Sequence, residues 1–403
     1  MNNIAIIGAG PSGAMAAIIA SENAANQITL FDKSSPLQTL LCTGGGRCNL
    51  SYAEFDNREL AKFYPRGEKF LLSVFSQFSV EDTVEFFKNL GIETYIQADN
   101  RIFPESNKAS DIRDALLKAL NKPNIKTEKI SISDVEYSNN KFHLTEQNGK
   151  TMEFDSLVIS TGGRGEGHKL AKKLSHTITP LKPALCSLVI KETALKELSG
   201  ITLKNIKADV YFGGEKQFTQ SGDFLFTHFG VSGPLVYKIS SYAAFLDYSE
   251  ITPLTIKLNL VNKAEDEFDK ILTSEFLNNG KKSLLNVISE YIPKKLAKEI
   301  LRTINEDCEK KVSEVNKVSR KKIVSAICCF ELNAIKTHQG GEVVTAGGVD
   351  LNELNPKTLE SKIIKNLFFC GEILNIDGLT GGFNLQNCWS SGFVAGNTLK
   401  DRI

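Results

Sequence analysis

The pattern of apolar and polar positions near the start of the chain predicts a strand, a helix and a second strand. Residues 4–7 form a short apolar run, residues 14–20 a longer run without charge, and residues 27–32 another short run. Short apolar runs bounded by turn residues are typical of buried strands, and the longer run is typical of a buried helix. The second strand ends in an acid, Asp32, which is followed by Lys33.

The turn between the first strand and the helix is rich in glycine: Gly8-Ala-Gly10-Pro11-Ser12-Gly13. Gly8 suits a tight turn, Gly10 lets the backbone approach a pyrophosphate, and Gly13 lets the helix pack closely on the strand. The phosphates would lie at the helix N-terminus, where free N–H groups and the dipole favour anions. The acid that follows about twenty residues later suits a ribose hydroxyl. Together these features predict a dinucleotide site and leave NAD and FAD equally open.

Further along the chain, amphipathic and alternating patterns predict helices followed by a β-meander. Residues 68–90 suggest two helices that stop at Gly91, residues 100–104 an extended segment, and Ser110 the cap of a helix that ends at Leu120. Three strands of a meander are then expected at 129–137, 141–147 and 151–153. The apolar strand after them runs into Thr161-Gly162, which fits a second visit of the chain to the nucleotide-binding sheet.

The second half of the chain changes character twice. Residues 184–262 are rich in predicted strands and suggest a separate β domain, to which 331–336 also belong. Residues 263–330 are charged, helix-forming and almost free of glycine, which predicts a helical insertion with Pro293 at a helix start. The parts 1–183 and 337–403 would then form one α/β nucleotide-binding domain.

Two more glycine-rich segments carry candidate chemistry. Gly44-Gly-Gly-Arg47-Cys48-Asn49 would bring backbone and a cation close to the same pyrophosphate. The last segment contains a predicted strand that ends in Gly371-Glu372, and after Asp377 a helix start with four candidate residues: Gly381, Gly382, Asn384 and Leu385. A helix N-terminus rich in Gly, Asn and Gln suits a ring carbonyl that gains negative charge on reduction.

Composition narrows the function classes. A chain of 403 residues suggests two or three domains, and a net charge of +1 gives no field that would hold a polyanion, so no nucleic-acid partner is expected. The eight cysteines lack metal-ligand spacing, so no metal site is expected. No apolar run reaches membrane-spanning length and no signal peptide is expected, which predicts a cytoplasmic protein without a membrane partner.

Six motifs carry a resemblance to a known family: GAGPSG, GGGRCNLS, RIFPESNKASDIRDAL, HFGVSGPLV, TAGGVDL and GEILNIDGLTGGFNLQ. Over nearly its whole length the chain resembles bacterial flavoproteins of the BaiN/YhiN type, NAD(P)/FAD-dependent oxidoreductases also described as aminoacetone-oxidase-family enzymes. The resemblance implies non-covalent FAD in a two-part Rossmann-type domain, with a parallel sheet and a β-meander. It also implies an inserted β domain over the flavin and a helical subdomain within that insertion.

The resemblance also assigns cofactor contacts, which extend the pattern-based reading to the flavin. It places Gly8, Gly10, Pro11, Ser12 and Gly13 at the pyrophosphate, Asp32 with Lys33 at the adenosine ribose, Gly44, Arg47, Cys48 and Asn49 along the flavin side, Ile130 at the adenine, Thr161 and Gly162 at the ADP part, Gly371, Glu372 and Asp377 at the ribityl chain, and Gly381, Gly382, Asn384 and Leu385 at the isoalloxazine. The loop at 163–168 is shorter than is usual in the family, which bears on any substrate contact made there.

Candidate catalytic residues are fewer. His228 is a candidate proton donor over the flavin ring, and the alternative is a histidine bonded structurally to a turn. Arg101 and Arg47 are candidates for balancing a reduced flavin or an acidic substrate, with phosphate binding favoured for Arg47. The other histidines are expected at the surface or in turns; they are His143, His168, His176 and His338.

A redox-active cysteine pair is a competing hypothesis. Cys42 and Cys48 follow the second predicted strand, as the cysteines of flavin disulfide reductases do, but five residues separate them, one more than is usual there. Buried free cysteine is a common core residue, and that interpretation is favoured.

The predicted function is an FAD-dependent oxidoreductase of a small organic substrate, an enone-type or amine-type molecule by the resemblance. NAD(P)H is a candidate transient reductant, although no second G-x-G-x-x-G offers it a site. One alternative is a flavin-dependent tRNA-modifying enzyme, with cations of the helical insertion at the RNA: Lys294, Lys295, Lys310, Lys311, Arg320, Lys321 and Lys322. Acids interleave with these cations, which favours a solvated helical face. A flavin- or dinucleotide-sensing binding protein is a further alternative, and the oligomeric state stays open.

Overall fold

The chain begins as its apolar pattern predicts, with a strand, a buried helix and a second strand. The computed structural model describes residues 2–164, 166–338 and 344–402. Gly165, in the loop that is shorter than in the family, therefore lies outside the described residues. The contacts within the chain divide it into two units. The first unit consists of Met1–Lys182 and Val344–Ile403, and the second unit is Pro183–Val343.

The N-terminal part of the chain supplies most elements of the first unit. Its strands are β1 (Asn2–Ile7), β2 (Asn26–Asp32), β3 (Ser51–Tyr52), β4 (Thr94–Ile96), β5 (Arg101–Pro104), β6 (Ile125–Lys129), β7 (Ile132–Ser138), β8 (Lys141–Glu146), β9 (Thr151–Phe154), β10 (Ser156–Ile159) and β11 (Ile178–Ala184). Its helices are α1 (Pro11–Ala20), α2 (Asn57–Ala61), α3 (Glu68–Phe75), α4 (Val80–Asn89), α5 (Ala109–Leu120) and α6 (Glu166–Lys173).

The remaining elements belong to the second unit and to the C-terminal return. The second unit contains the strands β12 (Leu188–Ile190), β13 (Thr202–Phe212), β14 (Glu215–Thr227), β15 (Gly230–Ser232), β16 (Leu254–Asn259) and β17 (Phe330–Thr337). Its helices are α7 (Pro234–Tyr242), α8 (Glu265–Asn278), α9 (Leu284–Ile288), α10 (Lys294–Thr303) and α11 (Lys317–Cys328). The chain then returns to the first unit with β18 (Val344–Val349), β19 (Leu367–Phe369) and α12 (Phe383–Lys400).

A parallel five-stranded sheet forms the centre of the first unit, in the order β19-β10-β1-β2-β6. The predicted return of the chain to this sheet is confirmed, because β10 pairs with β1 from Ile4↔Ser156 to Ile7↔Ile159. Helix α1 is buried along nearly its whole length. It packs against α12 at close range, since a Cβ placed on Gly392 would lie 2.4 Å from the Ser12 carbonyl oxygen. The two ends of the chain therefore share one core.

The β-meander is confirmed, and one boundary of its prediction is wrong. Strands β7, β8 and β9 pair antiparallel in sequence order. Lys129, predicted to open the meander, instead ends β6, the edge strand of the parallel sheet, where it pairs with Asp32. Because β6 buries none of its residues fully, it has no apolar run by which the sequence could reveal it.

The predicted helices at 68–90 are confirmed, and the predicted cap of the next helix is wrong. Ser79 and Asp82 form a capping box at the start of α4, which explains the break between α3 and α4. Helix α5 begins one residue before Ser110, after Lys108, which provides no side-chain cap. Ser110 Oγ donates instead to Asp111 Oδ1 at 3.1 Å, so a hydroxyl in the first helical turn resembles a cap in sequence without being one.

The second unit is a closed barrel with the helical segment packed on it. Its strands follow the order β12-β15-β14-β13-β16-β17, and closure removes the exposed edges of an open sheet. Apolar side chains of the barrel and of α8 to α11 form one buried cluster, which includes Phe224, Leu258 and Ile327. Neither closure nor α7 was predicted, since both depend on strand register rather than on local pattern. Among the described residues, no helix has the length and apolar character needed to cross a bilayer.

Candidate cofactor-binding site

The glycine-rich turn lies at the carboxyl end of β1, and two of its glycines differ in how much space surrounds them. A Cβ placed on Gly10, the N-cap of α1, would meet no atom of the described residues within 4 Å. A Cβ on Gly13 would lie 1.9 Å from the Gly8 carbonyl oxygen, so only glycine lets the helix approach the strand this closely. Ser12 faces inward, with Oγ 3.4 Å from the Cys370 carbonyl oxygen. The turn thus presents open backbone at a helix N-terminus, as the predicted pyrophosphate site requires.

Asp32 lies at the end of β2 beside this turn, as predicted. Its Oδ2 accepts from the Ala9 amide at 2.8 Å, and its Oδ1 accepts from the amide and the hydroxyl of Ser34, each at 2.8 Å. The carboxylate therefore fixes the turn that the phosphates would approach. Lys33 pairs with Glu166 at 3.0 Å, and both side chains are about two-thirds exposed.

A cleft extends from this turn and brings five predicted residues together: Gly8, Asp32, Lys33, Ile130 and Thr161. The Thr161 hydroxyl is buried, and no residue that the structure describes forms a hydrogen bond with it. Buried polar atoms in proteins normally form hydrogen bonds, and a ligand bound in the cleft would supply the missing partner of this hydroxyl. The Ile130 amide is already donated to the Glu128 carbonyl oxygen at 3.0 Å. The open turn, the carboxylate and the unpaired hydroxyl fit the ADP part of FAD.

The predicted flavin side assembles from two distant segments of the first unit. Asn49 Oδ1 is buried and has no hydrogen-bond partner within the described part of the chain. It lies 2.9 Å from a Cβ placed on Gly382, the N-cap of α12. Ser51 Oγ donates to Gln386 Oε1 at 2.6 Å, and Trp389 Nε1 donates to the Leu50 carbonyl oxygen at 3.0 Å. The GGGRCN loop and the start of α12 are therefore adjacent, and an unpaired amide oxygen lies between them.

Arg47 and Arg101 both lie against Phe103 in the structure. The Arg47 guanidinium carbon is 4.2 Å from the ring centroid, and its Nε donates to the Gly44 carbonyl oxygen at 3.3 Å. Arg101 Nε donates to Asp99 Oδ2 at 2.8 Å, and this bond is the main cause of a lowered pKa at Asp99. Because Arg101 is neutralised by a neighbour two residues away, its geometry favours a structural role over the predicted catalytic one.

The two cysteines of the redox hypothesis differ in environment. Cys42 is exposed and Cys48 is buried, and neither forms a disulfide with another described residue. Burial raises the pKa of the Cys48 thiol to about 11, an effect that a hydrogen bond with Thr43 only partly opposes. Since the thiolate is the reactive form, this environment disfavours a redox-active pair.

Two predicted flavin contacts have side chains that are engaged within the protein. Asn384 donates from Nδ2 to the Gly378 carbonyl oxygen at 2.9 Å and accepts from the Gly378 amide at 2.8 Å. The Asp377 carboxylate is fully buried and accepts from Nε and a terminal nitrogen of Arg66. These bonds shape the segment that leads into α12. The sequence does not predict the role of Arg66, because a single arginine in a Tyr-Pro-Arg-Gly turn belongs to no known motif.

Glu372 follows Gly371, whose amide donates to Ser391 Oγ at 2.9 Å. Burial, first, and the Asp377 carboxylate, second, raise the pKa of Glu372. The charge of Arg164 and a hydrogen bond from the Gly163 backbone oppose this shift. The pKa of Glu372 is therefore above that of an ordinary glutamate at the place where the ribityl chain is predicted.

Because the pKa of Glu372 is raised in the folded state, the folding stability of the apoprotein should depend on pH. The folded apoprotein holds this proton more tightly than the unfolded chain, so stability is lost as the pH rises through the folded-state pKa. We expect Glu372→Gln to be more stable than wild type at neutral pH. This difference should vanish below the ordinary glutamate value of 4.5. Urea unfolding of both proteins across the pH range measures it, with the exposed Glu166→Gln as control; a difference that does not change with pH contradicts the assignment.

The histidines are placed differently from the prediction in two cases. His168 and His176 were expected at the surface or in turns and are buried, with 4 % and 2 % exposure. His168 Nε2 bonds to the Ile373 carbonyl oxygen at 3.0 Å and His176 Nε2 to Ser361 Oγ at 2.8 Å. Burial is the main cause of a lowered pKa at both imidazoles. Their partners lie more than 180 residues away, so no local pattern indicated burial.

His228 is exposed, and its ring makes an edge contact with Phe229 at 5.0 Å. The turn it belongs to is held by Thr227, whose Oγ1 accepts from the Gly230 amide at 3.1 Å. Among the described residues, the imidazole has no hydrogen-bond partner. The alternative of a histidine bonded to the turn therefore finds no support, and the proton-donor role stays a prediction.

Comparison with known proteins decides the family. A family model described as HI0933-like protein Rossmann domain matches residues 2–398. The chain belongs to this family. The predicted resemblance to flavoproteins of the BaiN/YhiN type is thereby confirmed, and the chain is an FAD-dependent oxidoreductase with a Rossmann-type domain.

Two curated relatives align with this HI0933-like protein over almost their full lengths. A 3-dehydro-bile acid delta(4,6)-reductase of Clostridium scindens is 28% identical over 416 residues, which cover 100% of both chains. A ribosomal RNA dihydrouridine synthase of Escherichia coli is 26% identical over 408 residues, covering 98% of this chain and 97% of the relative.

Among solved structures, the 3-ketosteroid delta1-dehydrogenase from Sterolibacterium denitrificans matches with a TM-score of 0.50 and 13% identity. The match covers 99% of this chain and 100% of that chain. At this identity it supports the fold alone.

Proposed function

We propose that this HI0933-like protein reduces a carbon–carbon double bond conjugated to a carbonyl group in a small organic substrate, with NAD(P)H as electron donor. The observation that carries the proposal is the chemistry shared by the two relatives' names. A delta(4,6)-reductase of a 3-dehydro-bile acid saturates an alkene conjugated to a ketone. Dihydrouridine is uridine whose ring double bond, also conjugated to a carbonyl, has been saturated.

In this proposal, different residues of the first unit bind different parts of the cofactor. The turn at Gly10 would hold the pyrophosphate, Thr161 would bond the ADP part, and Asn49 with the start of α12 would bond the ring. Bound FAD supplies the hydride chemistry. The helix dipole of α12 would stabilise negative charge that the ring gains on reduction. The other residues predicted from the family resemblance keep their proposed roles as cofactor contacts.

Anaerobic spectroscopy of the purified holoenzyme tests this function. We expect NADH or NADPH to bleach the visible flavin absorbance, and a conjugated carbonyl compound to restore it. Suitable acceptors are a 3-oxo-delta(4,6) bile acid, 2-cyclohexenone and uridine, with cyclohexanone as the saturated control. Reduced flavin that none of the three unsaturated compounds reoxidises contradicts the proposal, and bleaching by neither nicotinamide favours the sensing alternative.

An RNA uracil is the second candidate substrate, and a surface observation favours it. The seven cations singled out in the helical insertion include Arg320, which pairs with Asp269 at 2.7 Å. The other six lysines form no ion pair within the described residues, although acids interleave with them in the sequence. Unpaired lysines on one helical segment suit phosphate contacts, whose binding weakens steeply with salt.

The two substrates are distinguished by comparing uridine with a uridine-containing RNA as acceptors of the reduced enzyme. If RNA is the substrate, we expect reoxidation by the RNA to be faster and to slow with added salt. Replacing Lys294, Lys295 and Lys310 with Ala should then remove most of that salt dependence while leaving reoxidation by 2-cyclohexenone unchanged. Equal rates for RNA and free uridine favour the small substrate.

A further inference from the structure

Three aromatic rings contact one another at the start of α12, within the first unit. Phe383, the first residue of α12, is buried, with 1% exposure. Its ring stacks on that of Phe63, with centroids 4.6 Å apart and planes 14° from parallel. The centroid of the Tyr52 ring lies 4.7 Å from that of Phe383 and 5.3 Å from that of Phe63. Tyr52 and Phe63 are only half-buried, and we call the surface that these two rings present the aromatic shelf.

Backbone hydrogen bonds hold the aromatic shelf in place. The Leu379 amide donates to the Phe63 carbonyl oxygen at 3.0 Å, and Tyr64 Oη donates to the Phe383 carbonyl oxygen at 2.7 Å. Tyr52 ends β3, which pairs antiparallel with β5. The two rings of the shelf are therefore attached to a strand and to the segment that leads into α12. Such fixed placement suits groups that must meet a ligand in one geometry.

The aromatic shelf lies beside residues that are proposed to bond the cofactor ring. Tyr52 follows Asn49 by three residues, and a Cβ placed on Gly381 would lie 3.3 Å from Cδ2 of Tyr52. The same Cβ would lie 2.8 Å from Cε2 of Phe383, so only glycine lets the chain pass this close to the rings. Gly381 is one of the residues that the family resemblance places at the isoalloxazine. A molecule bound on the shelf would therefore be next to the proposed position of that ring.

The hydroxyl group of Tyr52 is available to a ligand. Two other tyrosines of the first unit donate within the protein, Tyr64 to the Phe383 carbonyl oxygen and Tyr95 to Asn107 Oδ1 at 2.7 Å. Within residues 2–164, 166–338 and 344–402, Tyr52 Oη forms no hydrogen bond. A phenol can donate one hydrogen bond, and a carbonyl oxygen on the shelf would supply the acceptor.

The shape and chemistry of the aromatic shelf favour a flat, conjugated carbonyl compound. Aromatic side chains bind flat unsaturated groups by stacking, and proteins that recognise single-stranded RNA stack bases in this way. An alkene conjugated to a ketone is flat, and so is the uracil ring of the second candidate substrate. Each carries a carbonyl oxygen that can accept from Tyr52. A saturated ring is puckered and stacks less well, so the shelf would favour the substrate over the reduced product.

We propose that the aromatic shelf binds the conjugated system of the substrate, and that Tyr52 Oη is the hydrogen-bond and proton donor to its carbonyl oxygen. This rests on the proposed reduction. The carbon β to the carbonyl group gains a hydride equivalent from the reduced cofactor, which becomes oxidised. The alkene electron pair shifts to form an enolate, and its oxygen takes the proton of Tyr52 Oη. The phenolate of the half-buried tyrosine regains a proton from water, and the enol tautomerises to the saturated carbonyl compound.

Kinetics of Tyr52→Phe in the FAD-loaded enzyme test the role of the hydroxyl group. Because this variant keeps the ring, we expect kcat for 2-cyclohexenone reduction to fall by roughly 100-fold to 1,000-fold, as is typical when one donor to a developing oxyanion is removed. KM and the rate of flavin reduction by NAD(P)H should be nearly unchanged. Tyr137→Phe is the matched control, since Tyr137 is also half-buried and its Oη lies 3.5 Å from Asn140 Oδ1 in the β-meander. A Tyr52→Phe enzyme within twofold of wild-type kcat overturns the proposal.

Phe63→Leu tests the stacking surface separately from the hydroxyl group. This variant keeps an apolar side chain and removes the flat ring. We expect the Kd of 2-cyclohexenone for the oxidised enzyme, measured from the change in flavin absorbance, to rise by roughly twofold to tenfold, which is the usual worth of an aromatic contact. Phe55→Leu is the control, because Phe55 is 45% exposed and lies outside the shelf. An unchanged Kd in Phe63→Leu contradicts binding on the shelf.

Infrared difference spectra of bound, carbonyl-¹³C-labelled 2-cyclohexenone distinguish a failure of this proposal from a failure of the proposed function. A hydrogen bond from Tyr52 should lower the carbonyl stretching frequency in the oxidised wild-type enzyme, and Tyr52→Phe should return it toward the value in solution. Equal frequencies in the two proteins, or no bound probe in wild type, contradict the role of Tyr52. A Tyr52-dependent shift in an enzyme that reduces no unsaturated carbonyl compound contradicts the proposed reaction and supports the binding site.

Discussion

Replacing Gly10 with Ala will weaken FAD binding by about 100-fold, or roughly 2.7 kcal/mol, and will leave the apoprotein as stable as wild type. The new methyl group meets no atom within 4 Å in residues 2–164, 166–338 and 344–402, so this part of the fold has room for it. It would occupy the space at the N-terminus of α1 through which the pyrophosphate is proposed to approach. Flavin fluorescence titration of the apoprotein measures the affinity, and urea unfolding measures the stability.

Gly13→Ala is the matched control, since the same methyl group there lies 1.9 Å from the Gly8 carbonyl oxygen and 2.5 Å from Ser160 Oγ. We expect this variant to lose about 1–3 kcal/mol of apoprotein stability, the usual cost of overpacking, before any cofactor is added. Gly10→Ala that binds FAD like wild type, or that is destabilised as strongly as Gly13→Ala, would show that the turn does not face the pyrophosphate.

Much of the first unit could be predicted because its signals are local. Apolar runs flank the turn from Gly8 to Gly13, and its glycines stand where a side chain would block the turn or the close packing of helix on strand. In the structure, a Cβ on Gly13 would clash with the Gly8 carbonyl oxygen, as this reasoning requires. Strand β6 was missed because an edge strand with one side in water needs no apolar run. The cap assigned to Ser110 failed for a related reason, since a hydroxyl near a helix start has several equivalent partners.

The site was predictable where backbone geometry dictates the residue and less so where side chains pair at long range. Asn49 and Gly382 could be placed together only through the family resemblance, since more than 300 residues separate them. The engagement of Asn384 with Gly378 and the burial of His176 depend on loops whose course the sequence does not encode locally.

Arg66→Met will destabilise the protein by about 3–5 kcal/mol, because it leaves the Asp377 carboxylate without its paired charge in the interior. The Asp377 side chain has 0% exposure and that of Arg66 14%, so water cannot readily replace the lost partner. Lys33→Met is the matched control: its pair with Glu166 is 64% exposed on both sides, and pairs of that kind contribute about 0–1 kcal/mol. Urea unfolding of the two apoproteins compares the losses directly.

A double-mutant cycle separates the ion pair from the packing of the arginine stem. Because most of the cost of Arg66→Met is an uncompensated buried charge, adding Asp377→Leu should recover stability rather than lose more. The recovery should be accompanied by weaker FAD binding if the segment after Asp377 places the start of α12 at the ring, since the pair fixes that segment. Losses that simply add in the double variant would mean that the two side chains act independently, and the paired charges would then have no part in positioning α12.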